Sequence, residues 1–544
     1  MAAAPTVGVS SADYLYFVER AVGGMAVIVA DLGDDLACTR PDLPGANSAY
    51  GLLTHCLGVI RYWGGRLVAG REIERDRERE FEATGSVTDL LAETEAVLAQ
   101  LRIDIETVDS EGDLAREPDV WAQGPGRKLN QGAALLHLYE EMAQHHGQME
   151  VLRDLLRKTR PGRPFAADLG WLRAKHGVKW RRPGPDLIPA WVADMDFPVA
   201  APIRAAIEAT VDRGDLGYPD WPEHPLAAAF SERMLQRYGW AADPGHVRGL
   251  TDLIQGLQLV IELATEPGQA VVAHTPNYPP FLATVPTTGR RLLAAQLHPN
   301  GDSWAWDHDR LDAELRIADA RVLLLVNPHN PTGRVFTRAE LEQVAELAER
   351  HDLIVISDEI HAELTFEPYQ HVPFATLSPE TAARTVTITS ATKAFNIAGL
   401  RTAVAHVGPA RLRAAWDAAP PDLYGATNVL GVEATLAAWR DGDPWLAGLR
   451  GHLADQRRQL DRLATLPGLV YRPPEATYLA WLDLTEAGLP GDPAAFLRAK
   501  AGIELSPGAD FGPGSAGFAR LNFATSATVL NSVLDRIETA LTAQ

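Results

Sequence analysis

The chain has 544 residues, too many for one hydrophobic core, and its composition, 46% hydrophobic and 22% charged, is that of ordinary globular protein. Fifty basic against 71 acidic residues leave a net charge of −21, which argues against nucleic acid or an anionic membrane as partner. Two cysteines, Cys38 and Cys56, exclude a disulfide framework and suit a reducing cytoplasm. No apolar run reaches the roughly 18 residues of a membrane helix, and the opening MAAAPTVGVS lacks the charged region and apolar block of a signal peptide.

Amphipathic patterns over residues 11–31, 47–69, 86–107 and 130–157 predict an all-α, up-and-down four-helix bundle. The run REIERDREREFE (71–82) alternates in sign and reads as solvated surface without a function. The last helix contains HLYEEMAQHHGQMEVLRDLL, where Glu141 and His145 share a face with Leu138, Met149 and Leu152. Upstream, LLTHCLGVIRYW sets His55 on the inward face beside Leu52 and Val59. A carboxylate aimed at apolar surroundings needs a partner or a metal. His55, Glu141 and His145 together make either a three-ligand site with an open fourth position, the form of catalytic zinc, or a buried Glu–His ion pair beside a core histidine. Cys56 faces away from this group and reads as packing.

The stretch KTRPGRPFAAD (158–168) is basic and rich in Pro and Gly. It suggests a helical metal-binding domain over 1–160, a linker at 161–168 and a second domain over 169–544. In that second part, continuous apolar runs alternate with helical patterns: VLLLV (322–326), AELEQVAELAER (339–350), LIVIS (353–357) and TVTIT (385–389). Such alternation predicts an α/β fold, a parallel sheet covered on both faces.

Ligands bind beyond the carboxyl ends of parallel strands. Those ends carry NPHNPTG (327–333), SDEIH with Asp358, and SATKAFN with Lys393. An amide, a carboxylate and an amine on one rim suit pyridoxal 5′-phosphate, which needs a lysine for its Schiff base and a carboxylate opposite its ring nitrogen. Ser390 beside the lysine, and the helix start LTDLIQGL with Thr251 and Asp252, suit its phosphate. GPGSAG (512–517) matches a dinucleotide-binding pattern formally, but no strand precedes it and no helix follows; it reads as a loop leading to the strand of Arg520.

NPHNPTG, SDEIHAEL and SATKAFNIAGLR, in that order, resemble the signatures of fold-type I pyridoxal-phosphate enzymes of the class I/II aminotransferase superfamily, and WVADMDF (191–197) with NPHNPTGRVF resembles their MalY/PatB cystathionine β-lyase branch. The resemblance implies a transferase fold with large and small lobes. It makes Lys393 the Schiff-base lysine, Asp358 the partner of the ring nitrogen and Asn330 a contact of the phenolic oxygen. Tyr278 would stack on the ring, Ser390 and Arg401 bind phosphate, and Arg520 pair with the substrate carboxylate. Tyr218, in LGYPDW, would reach the cofactor of a neighbouring subunit, implying a homodimer. His361 stands where other aminotransferases often carry tyrosine, which favours the lyase branch. The implied reaction is β-elimination of cysteine S-conjugates to thiol, pyruvate and ammonia; the alternative is a transaminase whose helical domain is a non-catalytic docking module.

Residues 11–157 resemble the DinB superfamily of four-helix metalloproteins, of the mycothiol-dependent maleylpyruvate isomerase and thiol-transferase type. That resemblance makes His55, Glu141 and His145 ligands of a divalent metal, Zn2+ by expectation, with His137 and His146 as supporting or substitute ligands. The metal would activate a low-molecular-weight thiol. Both halves would then handle sulfur, although the amine of a mycothiol or glutathione conjugate is acylated and needs separate hydrolysis before a lyase can act.

Overall fold

The protein is described from a computed structural model, which covers residues 8–41, 43–119, 127–158, 165–167, 169–221, 224–420 and 425–542. The chain divides into two compact units, Met1–Arg163 and Pro164–Gln544. Of the linker expected at 161–168, residues 161–164 and 168 lie outside the described residues. No helix among the described residues is long and apolar enough to cross a membrane.

The first unit has four principal helices: α1 (Ser11–Ala37), α2 (Ala49–Val59), α3 (Val87–Asp104) and α4 (Gln131–Lys158). Two begin on serine caps: Ser10 accepts from the Asp13 N–H, and Ser48 accepts from the Gly51 N–H. α2 continues as a π-helical segment, Ile60–Val68, so the expected helix over 47–69 is one continuous rod with two hydrogen-bond patterns. Val18, Val22, Met25, Val29 and Leu32 of α1, at helical spacing, are buried with Leu52, Leu53 and Leu57 of α2 and with Leu138, Met142 and Met149 of α4.

The second unit is built on eight strands: β1 (Val247–Leu250), β2 (Ala270–Thr275), β3 (Arg291–Asn300), β4 (Ser303–Trp306), β5 (Ala320–Val326), β6 (Ile354–Asp358), β7 (Thr385–Thr389) and β8 (Ala403–Val407). Their order across the sheet is β1-β8-β7-β6-β5-β2-β3-β4. Strands β3, β2, β5, β6 and β7 pair parallel, as expected from the apolar runs. The sheet is nevertheless mixed, which corrects the expectation of a parallel one. β8 pairs antiparallel with both β7 and β1, and β4 turns back antiparallel on β3. The reason for β8 is its connection: residues 390–402 hold one 3-10 turn and no crossover helix, so the chain returns in the opposite direction.

Both faces of the sheet are covered. Val271, Leu324, Ile356 and Ile388 meet α5 (Leu253–Ala264) through Leu257, Val260 and Ile261. On the other face, Val272, Leu323 and Val355 meet α6 (Arg338–Arg350) through Leu341, Val344 and Leu347. Each such fully buried side chain contributes about 1.5–3 kcal/mol. A smaller antiparallel sheet, in the order β9 (Val470–Tyr471), β10 (Leu479–Asp483), β12 (Phe518–Asn522), β11 (Ser506–Pro507), belongs to the second lobe and carries Arg520 on its β12 strand. GPGSAG lies between a 3-10 turn, Gly508–Phe511, and β12, without the strand–helix setting of a dinucleotide loop.

Candidate active site and metal centre

Strands β1, β2, β5, β6 and β7 end on one rim of the large sheet, and the loops after them enclose a cavity of about 200 Å³. Thr251, Asp252, Tyr278, Asn330, Asp358, Ser390, Lys393 and Arg401 all line it. Four of them sit where a strand stops: Thr251 follows β1, Asn330 follows β5, Asp358 closes β6, and Ser390 follows β7. Asp358 is thus the last residue of its strand rather than the first after it.

Lys393 Nζ donates to the Ala193 carbonyl at 2.6 Å, and the Tyr478 hydroxyl donates to the same oxygen at 3.2 Å. That carbonyl is held in place by its neighbours. Asn522 Nδ2 donates to the Val192 and Asp194 carbonyls, both at 2.6 Å, and Asn396 Nδ2 donates to the Met195 and Phe197 carbonyls. WVADMDF is therefore a strap across the lysine, stapled by two asparagines. Burial lowers the Lys393 pKa, opposed by Asp194 and reinforced by Arg520.

Asp358 is buried, and its carboxylate accepts one hydrogen bond among the described residues, from the Ile360 N–H at 3.0 Å. Burial pushes its pKa up to about 7. His361, on the same loop, is buried against Tyr478 with ring centroids 5.9 Å apart, and burial together with the charges of Lys393 and Arg520 holds it down to about 3. Arg520 lies behind Asn330: Nη1 donates to Asn330 Oδ1 at 2.9 Å and Nη2 to the Trp191 carbonyl at 2.9 Å. Burial brings its pKa down to about 10. Tyr278 packs edge-on against Phe281.

At the phosphate-like end, Asp252 caps α5 by accepting from the Gln255 N–H at 2.9 Å and is ion-paired to Arg401. Ser390 donates to the Thr402 carbonyl at 2.6 Å. Tyr218 is fully exposed and does not line the cavity within one chain.

These residues fit pyridoxal phosphate. A buried carboxylate lacking an ion-pair partner among the described residues faces the same cavity as an amine with a lowered pKa, and a helix N-terminus opens into its other end. The sequence reading missed the Ala193 carbonyl and Tyr478. A backbone oxygen leaves no mark in residue type, and Tyr478 reads as an ordinary strand residue; the quoted strap motif was the available signal.

In the helical unit, His55, Glu141 and His145 are brought together, with one ligand atom of each within 4.8 Å of the others. Glu141 Oε2 lies 3.9 Å from His55 Nε2 and 3.7 Å from His145 Nε2. Ligands about 2.1 Å from a tetrahedral zinc stand about 3.4 Å apart, so the group needs little contraction to hold one. Hydrogen bonding from His145 holds the Glu141 carboxyl well below the usual carboxylate range. His145 Nδ1 is 2.9 Å from Gln148 Oε1. His137 packs on Trp63 beside Glu140, and neither it nor His146 joins the group. Cys56 is fully buried with its sulfur toward Met25, in agreement with a packing role.

The charged run 71–82 differs from its reading as solvated surface. Arg75 and Glu80 are largely withdrawn from solvent beside His55, with side chains 6% and 11% exposed. Their charges pair with each other, which is why burial is tolerated.

The family model described as Aminotransferase class I and II matches residues 192–537, and that described as Mycothiol-S-transferase matches residues 14–158. Cystathionine beta-lyase PatB of Bacillus subtilis is 35% identical over 374 residues, covering 67% of this chain and 96% of the relative. The crystal structure of OvoB is 38% identical with a TM-score of 0.66, covering 70% of this chain and 99% of that one. A pyridoxal-phosphate-bound C–S lyase of Staphylococcus hominis is 28% identical with a TM-score of 0.66, over 70% and 99% of the two chains. The chain accordingly belongs to the class I and II aminotransferase superfamily, as a pyridoxal-phosphate-dependent C–S lyase of the PatB/MalY cystathionine β-lyase branch joined to an N-terminal mycothiol-S-transferase (DinB-like) domain.

Proposed function

We propose that the second unit cleaves the C–S bond of L-cysteine S-conjugates by β-elimination, giving thiol, pyruvate and ammonia, and that the helical unit, over about residues 1–160, performs a metal-dependent transfer involving a low-molecular-weight thiol. The observation that carries the pyridoxal-phosphate reading is the convergence of Lys393, Asp358 and Asn330 on one cavity with Arg520 directly behind it; the 35% identity to a cystathionine beta-lyase supports elimination as the outcome.

When bound, pyridoxal phosphate supplies the electron sink for charge at the substrate α-carbon. Asp358, whose pKa burial raises, would favour a proton on the ring nitrogen. Lys393 Nζ is the covalent anchor and the base for the α-proton, a role its lowered pKa suits because a neutral amine is needed. The strap carbonyl of Ala193 steers that amine, since it already holds one of its hydrogens. Arg520 offers a planar fork to the substrate carboxylate, and Asn330 fixes its angle. Ser390, Thr251, Arg401 and the first amides of α5 would hold the phosphate. Tyr278, which lines the cavity, would pack on the cofactor. Tyr218, wholly exposed within one chain, would complete the site of a second copy in a homodimer.

In the helical unit, a divalent ion such as Zn2+ on His55, Glu141 and His145 would lower the pKa of a bound thiol to favour the thiolate. The deciding assay is pyruvate release from a panel of cysteine S-conjugates, L-cystathionine included, by the full chain and by Lys393→Ala. The parent should produce pyruvate and the variant should lose at least about a thousandfold. No pyruvate from any conjugate would overturn the reading.

A further inference from the structure

Resting on the metal reading above, we propose that Glu80, clamped by Arg75 and seated in a notch left by Gly58, is the positioning residue that turns His55 into a metal ligand. Glu80 comes from the short helical turn Arg77–Phe81, remote in sequence from the other members of the group. Its Oε2 lies 2.9 Å from His55 Nδ1. Arg75 donates to both of its oxygens, Nε to Oε1 and Nη2 to Oε2, each at 2.8 Å. The fork leaves the carboxylate one orientation. Phe81 stacks on a face of the imidazole at 4.2 Å between centroids, which restricts the ring further.

The proton on His55 follows from these contacts. Arg75 Nη2 stands 3.3 Å from Nδ1 and the carboxylate oxygen stands nearer, at 2.9 Å. A lone pair on Nδ1 would face that anionic oxygen, whereas an N–H donates to it. Nδ1 therefore carries the hydrogen, and the Nε2 lone pair points toward Glu141 Oε2 and His145. A carboxylate behind the imidazole also fixes the orientation of the ring as a ligand. Gly58, one turn beyond His55, makes room for this: a Cβ there would lie 1.9 Å from Glu80 Oε1. Any larger residue displaces the carboxylate while leaving every ligand and charge in the sequence.

The test uses the full-length chain and Zn2+, with affinity measured by competition against a chromophoric chelator and the ligand field read from the visible spectrum of bound Co2+. Glu80→Gln and Gly58→Ala should each weaken Zn2+ by about 10–100-fold, with the far-ultraviolet circular dichroism of the parent retained and the Co2+ bands altered. Glu80→Asp, with Arg75 intact, should recover part of that loss. If Glu80→Gln does not fold, Gly58→Ala decides, because alanine is well accepted in a helix. Variants that fold and bind within twofold of the parent would overturn the inference while leaving the metal centre standing. A parent that binds Zn2+ no better than His145→Ala would remove the metal centre, and the inference with it.

Discussion

Asp358→Asn separates what the buried carboxylate does for the cofactor from what it does to the fold. The side chain accepts one hydrogen bond among the described residues, and burial raises its pKa from 3.8 to about 7. At about 1.4 kcal/mol per tenfold change, ionised Asp358 destabilises the cofactor-free native state by about 4 kcal/mol relative to the unfolded chain. Between those two values the native state keeps its proton while the unfolded chain has released it, so this contribution falls as pH rises and is flat above about 7. Asparagine has the same shape without the charge. The cofactor-free variant should therefore gain about 2–4 kcal/mol at pH 8 and almost nothing at pH 4. Urea unfolding of the cofactor-stripped chain, followed by tryptophan fluorescence at both pH values, measures the difference. Pyruvate formation should meanwhile fall by about 10²–10³-fold, the equivalent of losing one partner of a buried ion pair. A variant no more stable than the parent at pH 8, or equally stabilised at pH 4, would refute the reasoning.

Three further outcomes are expected. Arg520→Lys keeps a cation but loses the fork held by Asn330 and Trp191, so kcat/KM should drop by about 10- to 150-fold, mostly through KM, from the about 1.5–3 kcal/mol of a charged hydrogen bond. His274 and His329 are buried neutral, His329 with a pKa of about 3, so their contribution is full above pH 6.5 and is lost as pH falls below it. His274→Phe, which preserves the stack on Trp306, should reduce the acid slope of stability by up to about 1.4 kcal/mol per pH unit, read from urea midpoints below pH 6. Zn2+ at a hundredfold excess over its Kd should stabilise the helical unit by about 2.7 kcal/mol and leave His145→Ala unmoved, measured by thermal unfolding with and without a chelator.

Much of the cavity was legible because its residues stand at strand ends, where a sharp change from apolar run to polar loop marks both the end of the strand and its position on the rim. Lys393, Asp358, Asn330 and Ser390 are of that kind. Direction was harder to read: the AVAHV of β8 is as apolar as its neighbours, and the absence of a crossover helix after Lys393 is what makes it antiparallel. The strap over the lysine depends on a backbone oxygen and on Asn396 and Asn522, which come from distant parts of the chain. In the bundle, helical spacing located His55, Glu141 and His145, whereas Arg75 and Glu80 were hidden in a charged run. Alternating charge describes surface and a buried ion pair equally well, and tertiary packing decides between them.

The most direct measurement of the central claim is the fate of sulfur in a single reaction. With full-length protein, pyridoxal phosphate and an L-cysteine S-conjugate, thiol and pyruvate should appear in equal amounts, with no amino acceptor required. A keto acid that retains the sulfur, formed only when an acceptor is supplied, would contradict the account and make the second unit a transaminase.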